Sequence, residues 1–242
     1  DRFRGMFAYL IWDAANKTLF CARDRLGIKP FYYYFDGKLF AFASEIKALL
    51  EHPGIHAELE DSSVPETLAF GYVSSDRTLF RNIRKLMPGH HMTLRIEGDR
   101  LTQRIEQYWD APFEASRDDL SEQSWIEECR ERLEETVRMR LMSDVPLGVF
   151  LSGGLDSSAI AALMKQMVSG PLKTFSVGYD EEQYSELSFA RRVAEHIGAD
   201  HHEVRVGMED FFNALPKLVW HEGGERSWAC PTKLAAGRAP EA

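Results

Sequence analysis

The sequence predicts a two-part protein of mixed α/β and α+β class, a β-rich first part followed by a parallel α/β part. Three observations predict it. Short apolar or alternating runs separated by turn residues fill residues 1 to about 110. Apolar residues then recur at helical spacing from Trp125. From Val145 onward, strand-like and helix-like segments alternate. The 242 residues leave room for one large domain or two modest ones, and 44% hydrophobic with 28% charged residues is an ordinary globular balance.

In the first part, "MFAYLIW" and "TLFCARD" are short runs joined by the turn-rich "DAANK", a hairpin pattern. "PFYYYFDGKLFAFAS" repeats the theme around Asp36-Gly37, which predicts a two-residue hairpin turn. The "FYYYF" run reads as alternating strand packing and not as a stacking platform for bases. "EIKALLEH" predicts a short helix before Pro53. "MPGHHMTLRIEGDRLTQRIEQYW" predicts a Pro-Gly turn, with His90-His91 in a surface turn, and two further strands. Arg23-Asp24-Arg25 reads either as an inter-strand salt-bridge knot or as an element of a domain interface. The polar, acidic and unpatterned stretch 111–123 predicts a linker between a first domain, 1–110, and a second, 124–242.

The second part opens on Trp125, Cys129, Leu133, Val137 and Leu141, one face of a helix. Ser124 with Glu127 predicts a capping box at its start, and Glu128/Arg132 and Glu134/Arg138 are favourable i,i+4 pairs. Next come the strand "PLGVFLS", a helix over 157–167, the strand "KTFSVGY", a helix over 185–197, the strand "HHEVRV" and a helix over 208–221. Leu187, Ala190, Ala194 and Ile197 share one face of the 185–197 helix, and Gly198 stops it. Strands alternating with helices of this length predict a parallel sheet with helical crossovers. His201-His202 opens a strand with no H-E-x-x-H pattern and no carboxylate partner in sequence, so a sheet-edge pair is favoured over a zinc site.

In a parallel α/β unit, ligands bind beyond the carboxyl ends of the strands, where "SGGLDSS" (152–158) lies. Gly153 and Gly154 permit positive φ and close backbone approach, so several N–H groups can converge on one anion. The amino end of the following helix adds free amides and a positive dipole. Ser152, Ser157 and Ser158 supply hydroxyls. Asp156 would repel a bare phosphate, so its role is to hold the Mg²⁺ that escorts one. The loop has no G-x-x-x-x-G-K-[ST] lysine and no G-x-S-x-G elbow, which excludes the commonest phosphate loop and the serine hydrolases. The bland alternative is a tight strand-to-helix turn with capping serines and no ligand.

The net charge of −9 argues against nucleic-acid binding. Cysteines at 21, 129 and 230 form no C-x-x-C pair, and no apolar run is long enough for a membrane span, so a cytoplasmic enzyme is expected. The start at Asp1 inside a strand-like run and the unpatterned "AAGRAPEA" end are read as those of a fragment.

"SGGLDSS" resembles the pyrophosphate-binding loop of the ATP pyrophosphatase (PP-loop) superfamily. With "RMRLMSDVPLGVFLSGGLDSSAIAAL" around it and "TFSVGYDE" after it, the resemblance narrows to the glutamine-dependent asparagine synthetases. "FRGMFAYLIWD", "ARDRLGIKPFYYY", "FASEIKALL" and "KLMPGHHMTL" resemble the later half of that family's glutaminase domain. The resemblance implies the β-rich remnant of an Ntn-type αββα glutaminase domain, then the start of a Rossmann-like PP-loop domain. It implies a ligase that adenylates the aspartate side chain with ATP and Mg²⁺, releases pyrophosphate, and amidates the product with ammonia from glutamine. Aspartate, glutamine and ATP are the implied small-molecule partners, with neither nucleic acid nor membrane, and a homodimer is compatible with the parent protein.

Carried over by position, Ser152, Gly153, Gly154, Ser157 and Ser158 match the phosphate cradle and Asp156 a Mg²⁺ ligand. Leu151 and Val177 match residues lining the AMP moiety. No catalytic residue is carried over, because the family's amino-terminal cysteine nucleophile and its second synthetase motif, S-G-E-G-x-D-E, have no counterpart in these residues. Cys21 and Cys129 are instead expected to be core or helix-face residues. The likeness is read to about residue 222, leaving 222–242 as an atypical tail. Close relatives that build β-lactams or amidate other carboxylates are the alternative enzymes, and an inactive piece that at most binds ATP is the non-enzyme alternative.

Overall fold

The computed structural model describes residues 3–111, 120–179 and 185–222, apart from the side chain of Glu222. Most of the expected linker and the tail beyond Glu222 lie outside the described residues. The chain clusters into two compact units, one built mainly from residues 1–115 and the other from 116–218.

In the first unit, period-two patterning builds two antiparallel sheets. Strands β1 (Ala8–Asp13), β2 (Thr18–Arg23), β6 (His90–Glu97) and β7 (Arg100–Gln107) form one sheet in the order β1-β2-β6-β7. Strands β3 (Tyr32–Phe35), β4 (Phe40–Ala43) and β5 (Ile83–Lys85) form the other, in the order β4-β3-β5. Strand β3 shows why "FYYYF" reads as it does. Phe31 and Tyr33 pack with Cys21, Met92 and Leu94 between the two sheets, with Phe35 against the same cluster. Tyr32 and Tyr34 turn the other way, onto Ile46 and Leu49 of helix α1 (Ile46–Leu50). Alternation along one strand thus supplies two cores.

The turns differ from expectation. Phe35 pairs with Phe40, so the Asp36-Gly37 connection is a four-residue loop and not a two-residue turn. Its geometry comes from the Asp36 carboxylate, which accepts from the Lys38 and Leu39 amides at 2.9 and 2.7 Å. The two-residue turn belongs to Gly98-Asp99, where Glu97 pairs with Arg100 and Gly98 has a φ of 61°. His90 and His91 begin strand β6 instead of sitting in a turn, and the His91 ring contacts Phe20 with centroids 5.4 Å apart. Helix α2 (Val64–Phe70), unread in the sequence, has no buried residue and so carries no apolar period.

In Arg23-Asp24-Arg25, the Arg23 and Asp24 side chains bond to backbone groups. Asp24 is 1% exposed, and its carboxylate accepts from the amides of Phe7, Leu26, Ile28 and Lys29 at 3.0–3.3 Å. Burial pushes its pKa up, and the four amide bonds outweigh that, leaving it below the ordinary carboxylate value. The Arg23 guanidinium donates to the carbonyls of Gly27, Lys29 and Leu86 at 2.7–2.8 Å, and Arg25 lies over the Trp109 ring. Charge here organises backbone.

The second unit alternates as expected: α3 (Glu122–Arg140), β8 (Gly148–Phe150), α4 (Leu155–Met167), β9 (Lys173–Tyr179), α5 (Leu187–Ile197), β10 (Asp200–Val206) and α6 (Met208–Glu222). The three strands are parallel, in the order β10-β9-β8. Helix α3 starts one turn earlier than predicted. Ser121, not Ser124, is its N-cap, with its hydroxyl accepting from the Ser124 amide at 3.2 Å. Glu128 pairs with Arg132 as expected, whereas Glu134 pairs with Arg130 at 2.9 Å and not with Arg138. Helix α5 buries Leu187, Ala190 and Ala194, packs Ile197 against the same core and ends at a left-handed Gly198.

Candidate functional site

Strand β8 delivers the chain to the loop. Leu151, the next residue, donates its amide to the Phe175 carbonyl of β9 at 2.8 Å. Its own carbonyl accepts from the buried hydroxyl of Ser176. The side chain of Leu151, 2% exposed, packs with Ala161, Ala190 and Ala194. Gly153 then turns the chain at a φ of 83°, and a Cβ there would lie 2.5 Å from the Ala190 amide nitrogen. Both the left-handed backbone and the close approach of α5 require glycine.

Gly154 is the N-cap of α4 and offers no side-chain cap. The first helical bond runs from the Ser158 amide to the Gly154 carbonyl at 3.1 Å. The amides of Leu155, Asp156 and Ser157 precede that bond, so helix geometry gives them no intrahelical acceptor. They form the positive end of the α4 dipole.

The three serines behave differently from simple ligand donors. The hydroxyls of Ser152 and Ser157 lie 2.8 Å apart. Ser152 Oγ accepts from the Gly154 amide, and Ser157 Oγ from the Ser152 amide, each at 3.2 Å. Ser158 donates back to the Gly154 carbonyl at 2.6 Å. The loop's shape is therefore held by its own hydroxyls, while the helix amides remain the open donors.

The structure brings Leu151, Ser152, Ser157 and Val177 together around one cavity of about 440 Å³. This is within the range of small-molecule sites. Phe175, Ser176, Tyr179 and Glu186 line it as well, and sequence reasoning did not single them out. For Ser176 the available signal was the period of "KTFSVGY", whose alternate residues Thr174, Ser176 and Gly178 are buried, while Phe175 and Tyr179 share the phase of Val177. Gly153 and Ser158 instead face a second cavity of about 910 Å³ with Arg192 and His196. Asp156 is exposed in the first turn of α4 and lines neither cavity.

The competing centres lose ground. His201 bonds the Thr174 hydroxyl through Nδ1 at 2.8 Å and His202 stacks on Phe175, on the edge strand β10. Carboxylates do stand near them, contrary to the sequence reading: Glu203 is 3.3 Å from His201 and Asp200 is 3.3 Å from His202. Among the described residues no three His, Cys, Asp or Glu side chains group as a metal cage. Cys21 is fully buried and its thiol is pushed up to about 12, which keeps it protonated and inert, while Cys129 is exposed on α3. No helix among the described residues is long and apolar enough to cross a membrane.

Residues 1–109 match the family described as "Glutamine amidotransferase domain", and residues 128–241 match "Asparagine synthase", a match running past residue 222. "Asparagine synthetase [glutamine-hydrolyzing] 1" of Bacillus subtilis is 36% identical over 91% of this chain and 34% of its own length. "Asparagine synthetase [glutamine-hydrolyzing] 3" of the same organism is 34% identical over 90% of this chain and 37% of its own. "Amidase chyE" of Penicillium rubens is 35% identical, over 91% and 34% respectively. The chain spans roughly a third of the length of these relatives. With one part matching a glutamine amidotransferase and the next an asparagine synthase, the chain belongs to the glutamine-hydrolysing asparagine synthetase family.

Proposed function

We propose that this chain is the part of an asparagine synthetase that holds ATP and positions its departing pyrophosphate. The first unit is the later half of an Ntn-type glutaminase layer structure, and the second is the opening of a Rossmann-like PP-loop domain. The observation that carries the reading is the open amino end of α4, set beyond the parallel strand β8 and beside the 440 Å³ cavity. In the reaction, the aspartate side-chain carboxylate attacks the α-phosphorus of ATP. The bond from that phosphorus to the bridging oxygen breaks, and pyrophosphate leaves with the charge. Ammonia released from glutamine then displaces AMP from β-aspartyl-AMP to give asparagine.

The chain's own residues have defined tasks in this scheme. The amides of Leu155, Asp156 and Ser157 face the phosphates, where negative charge collects as the leaving group departs. Ser152 and Ser157 keep those amides in place, with Gly154 leaving room for close approach. Leu151 and Val177 form the wall against the adenosine portion. A γ-phosphate lysine is unnecessary because that phosphate is not the group transferred. Mg²⁺ would be held by the phosphates together with the Asp156 carboxylate, since among the described residues no three His, Cys, Asp or Glu side chains group as a cage. When bound it neutralises phosphate charge.

Two amidases among the relatives, at 35% and 33% identity, favour a second reading in which another carboxylate is activated by the same loop. Coverage of about nine-tenths of the chain by synthetase relatives favours a working ligase over an inert ATP-binding piece. A cytoplasmic setting accords with the free thiols Cys21 and Cys129.

The test has two arms. A polypeptide carrying this segment at the length of its relatives is expected to form AMP and pyrophosphate only when aspartate is supplied. ADP and phosphate as products would exclude the loop's assignment, and AMP formation indifferent to aspartate would select the second reading. In this chain, Asp156→Ala is expected to remove the Mg²⁺ dependence of ATP binding by titration calorimetry, with stability unchanged to within about 0.5 kcal/mol. Unaltered Mg²⁺ dependence would remove Asp156 from the metal.

A further inference from the structure

The central strand β9 has a buried face made of small residues, Thr174, Ser176 and Gly178. Each meets a different neighbour. Thr174 bonds His201 on β10, Ser176 bonds the Leu151 carbonyl beyond β8, and Gly178 leaves the space that Leu187 of α5 fills. A hydroxyl 4% exposed needs a partner, because an unbonded one in that setting is costly. Here the partner is the backbone of the residue that launches the Ser-Gly-Gly turn.

Leu151 is consequently held at both of its polar atoms by β9, its amide by the Phe175 carbonyl and its carbonyl by Ser176. Parallel pairing of β8 with β9 ends at Phe150 and Phe175, with one further backbone bond, from the Leu151 amide to the Phe175 carbonyl. The Ser176 hydroxyl extends the tie to the Leu151 carbonyl, the next polar group along the chain. Ser176 also lines the same cavity as Ser152 and Ser157.

We propose that Ser176 is a positioning residue for the phosphate loop, acting through the Leu151 carbonyl to set the direction in which Ser152 and Gly153 leave the sheet. This rests on the nucleotide reading given above and adds to it a residue outside the loop that governs the loop's affinity. Alanine at 176 frees the Leu151 carbonyl and lets the turn drift against α4, misaligning the amides without removing any of them. Cysteine keeps the volume but donates weakly, and threonine keeps the hydroxyl.

The experiment compares the unaltered chain with Ser176→Ala, Ser176→Cys and Ser176→Thr, using Mg·ATP titration calorimetry and amide hydrogen exchange. Ser176→Ala and Ser176→Cys are expected to weaken Mg·ATP about threefold to tenfold, the range of one lost hydrogen bond. They are also expected to speed exchange at Ser152 and Gly154 while leaving β10 amides protected. Ser176→Thr is expected to restore both.

Faster exchange with unchanged affinity would overturn the positioning role, leaving Ser176 a packing residue. Unchanged exchange at Ser152 and Gly154 would overturn it as well. If the unaltered chain bound no Mg·ATP, the nucleotide reading would fall, and exchange alone would decide whether Ser176 anchors the loop.

Discussion

Two tight loops of this chain leave strands in different ways. After β2, the residues from Asp24 to Lys29 wrap around a buried carboxylate that accepts four backbone amides. After β8, the Ser-Gly-Gly loop is held by neutral hydroxyls, and the amides at the start of α4 are left without a partner from the helix. The first loop turns its Leu26, Ile28 and Lys29 amides inward onto that carboxylate. The second keeps its donors open at the carboxyl edge of a parallel sheet. An acidic clamp inside the second loop would compete with phosphate for the same amides, whereas serine shapes the turn and adds no charge. The chemistry of the clamp therefore separates a structural loop from a binding one.

Gly153→Ala should have the largest effect on this contrast. The strained φ and the contact with the Ala190 amide are expected to cost the second unit about 3 kcal/mol and to abolish Mg·ATP binding. Chemical denaturation followed with a probe in α5, alongside titration calorimetry, checks both, and retained binding would show that the turn does not shape the cradle.

Asp24→Asn comes next. An amide group facing N–H donors is expected to destabilise the first unit by about 2 kcal/mol while leaving nucleotide affinity unchanged. The sign with pH follows from the depressed carboxyl pKa, whose ordinary value is 3.8. The stabilisation is fully present above that ordinary value and is lost as the pH falls through the lower folded-state value. Thermal unfolding of the first unit should therefore fall off in acid for the unaltered chain more steeply than for Asp24→Asn. Parallel acid limbs would mean that the carboxylate is not the clamp.

The smallest effect belongs to Ser158→Ala. Its hydroxyl is turned back on the Gly154 carbonyl, and alanine favours helix, so stability should move by less than about 0.5 kcal/mol. Affinity for Mg·ATP should change less than about threefold. A large loss of affinity would place the Ser158 hydroxyl on phosphate and narrow the contrast between the two loops.

Legibility in the sequence followed from where each signal resides. The two-sided packing of Tyr32, Tyr33 and Tyr34 and the Leu187–Ala194 face with its Gly198 stop were readable, because strand and helix periods are local properties. Helix α2 was not readable, since it buries nothing and so has no period to detect. The cap of α3 was misplaced by one turn because Ser121 and Ser124 both fit a capping pattern. In the site, the small and polar identities of residues 152–158 announced an anion loop, yet the serines' partners were invisible, as they depend on how the turn closes. Ser176 passed unnoticed because its partner lies 25 residues away, just past strand β8.

By itself, the sequence determined the order and type of most elements, the parallel arrangement of the second unit and the loop's character, because periodicity, glycine and caps act over a few residues. Only the tertiary structure decided which charges bind backbone, which hydroxyls lock the loop, and which residues share the cavity. Those outcomes depend on strands and helices distant in sequence meeting in a close-packed interior, where a buried polar atom takes whichever partner the fold brings within reach.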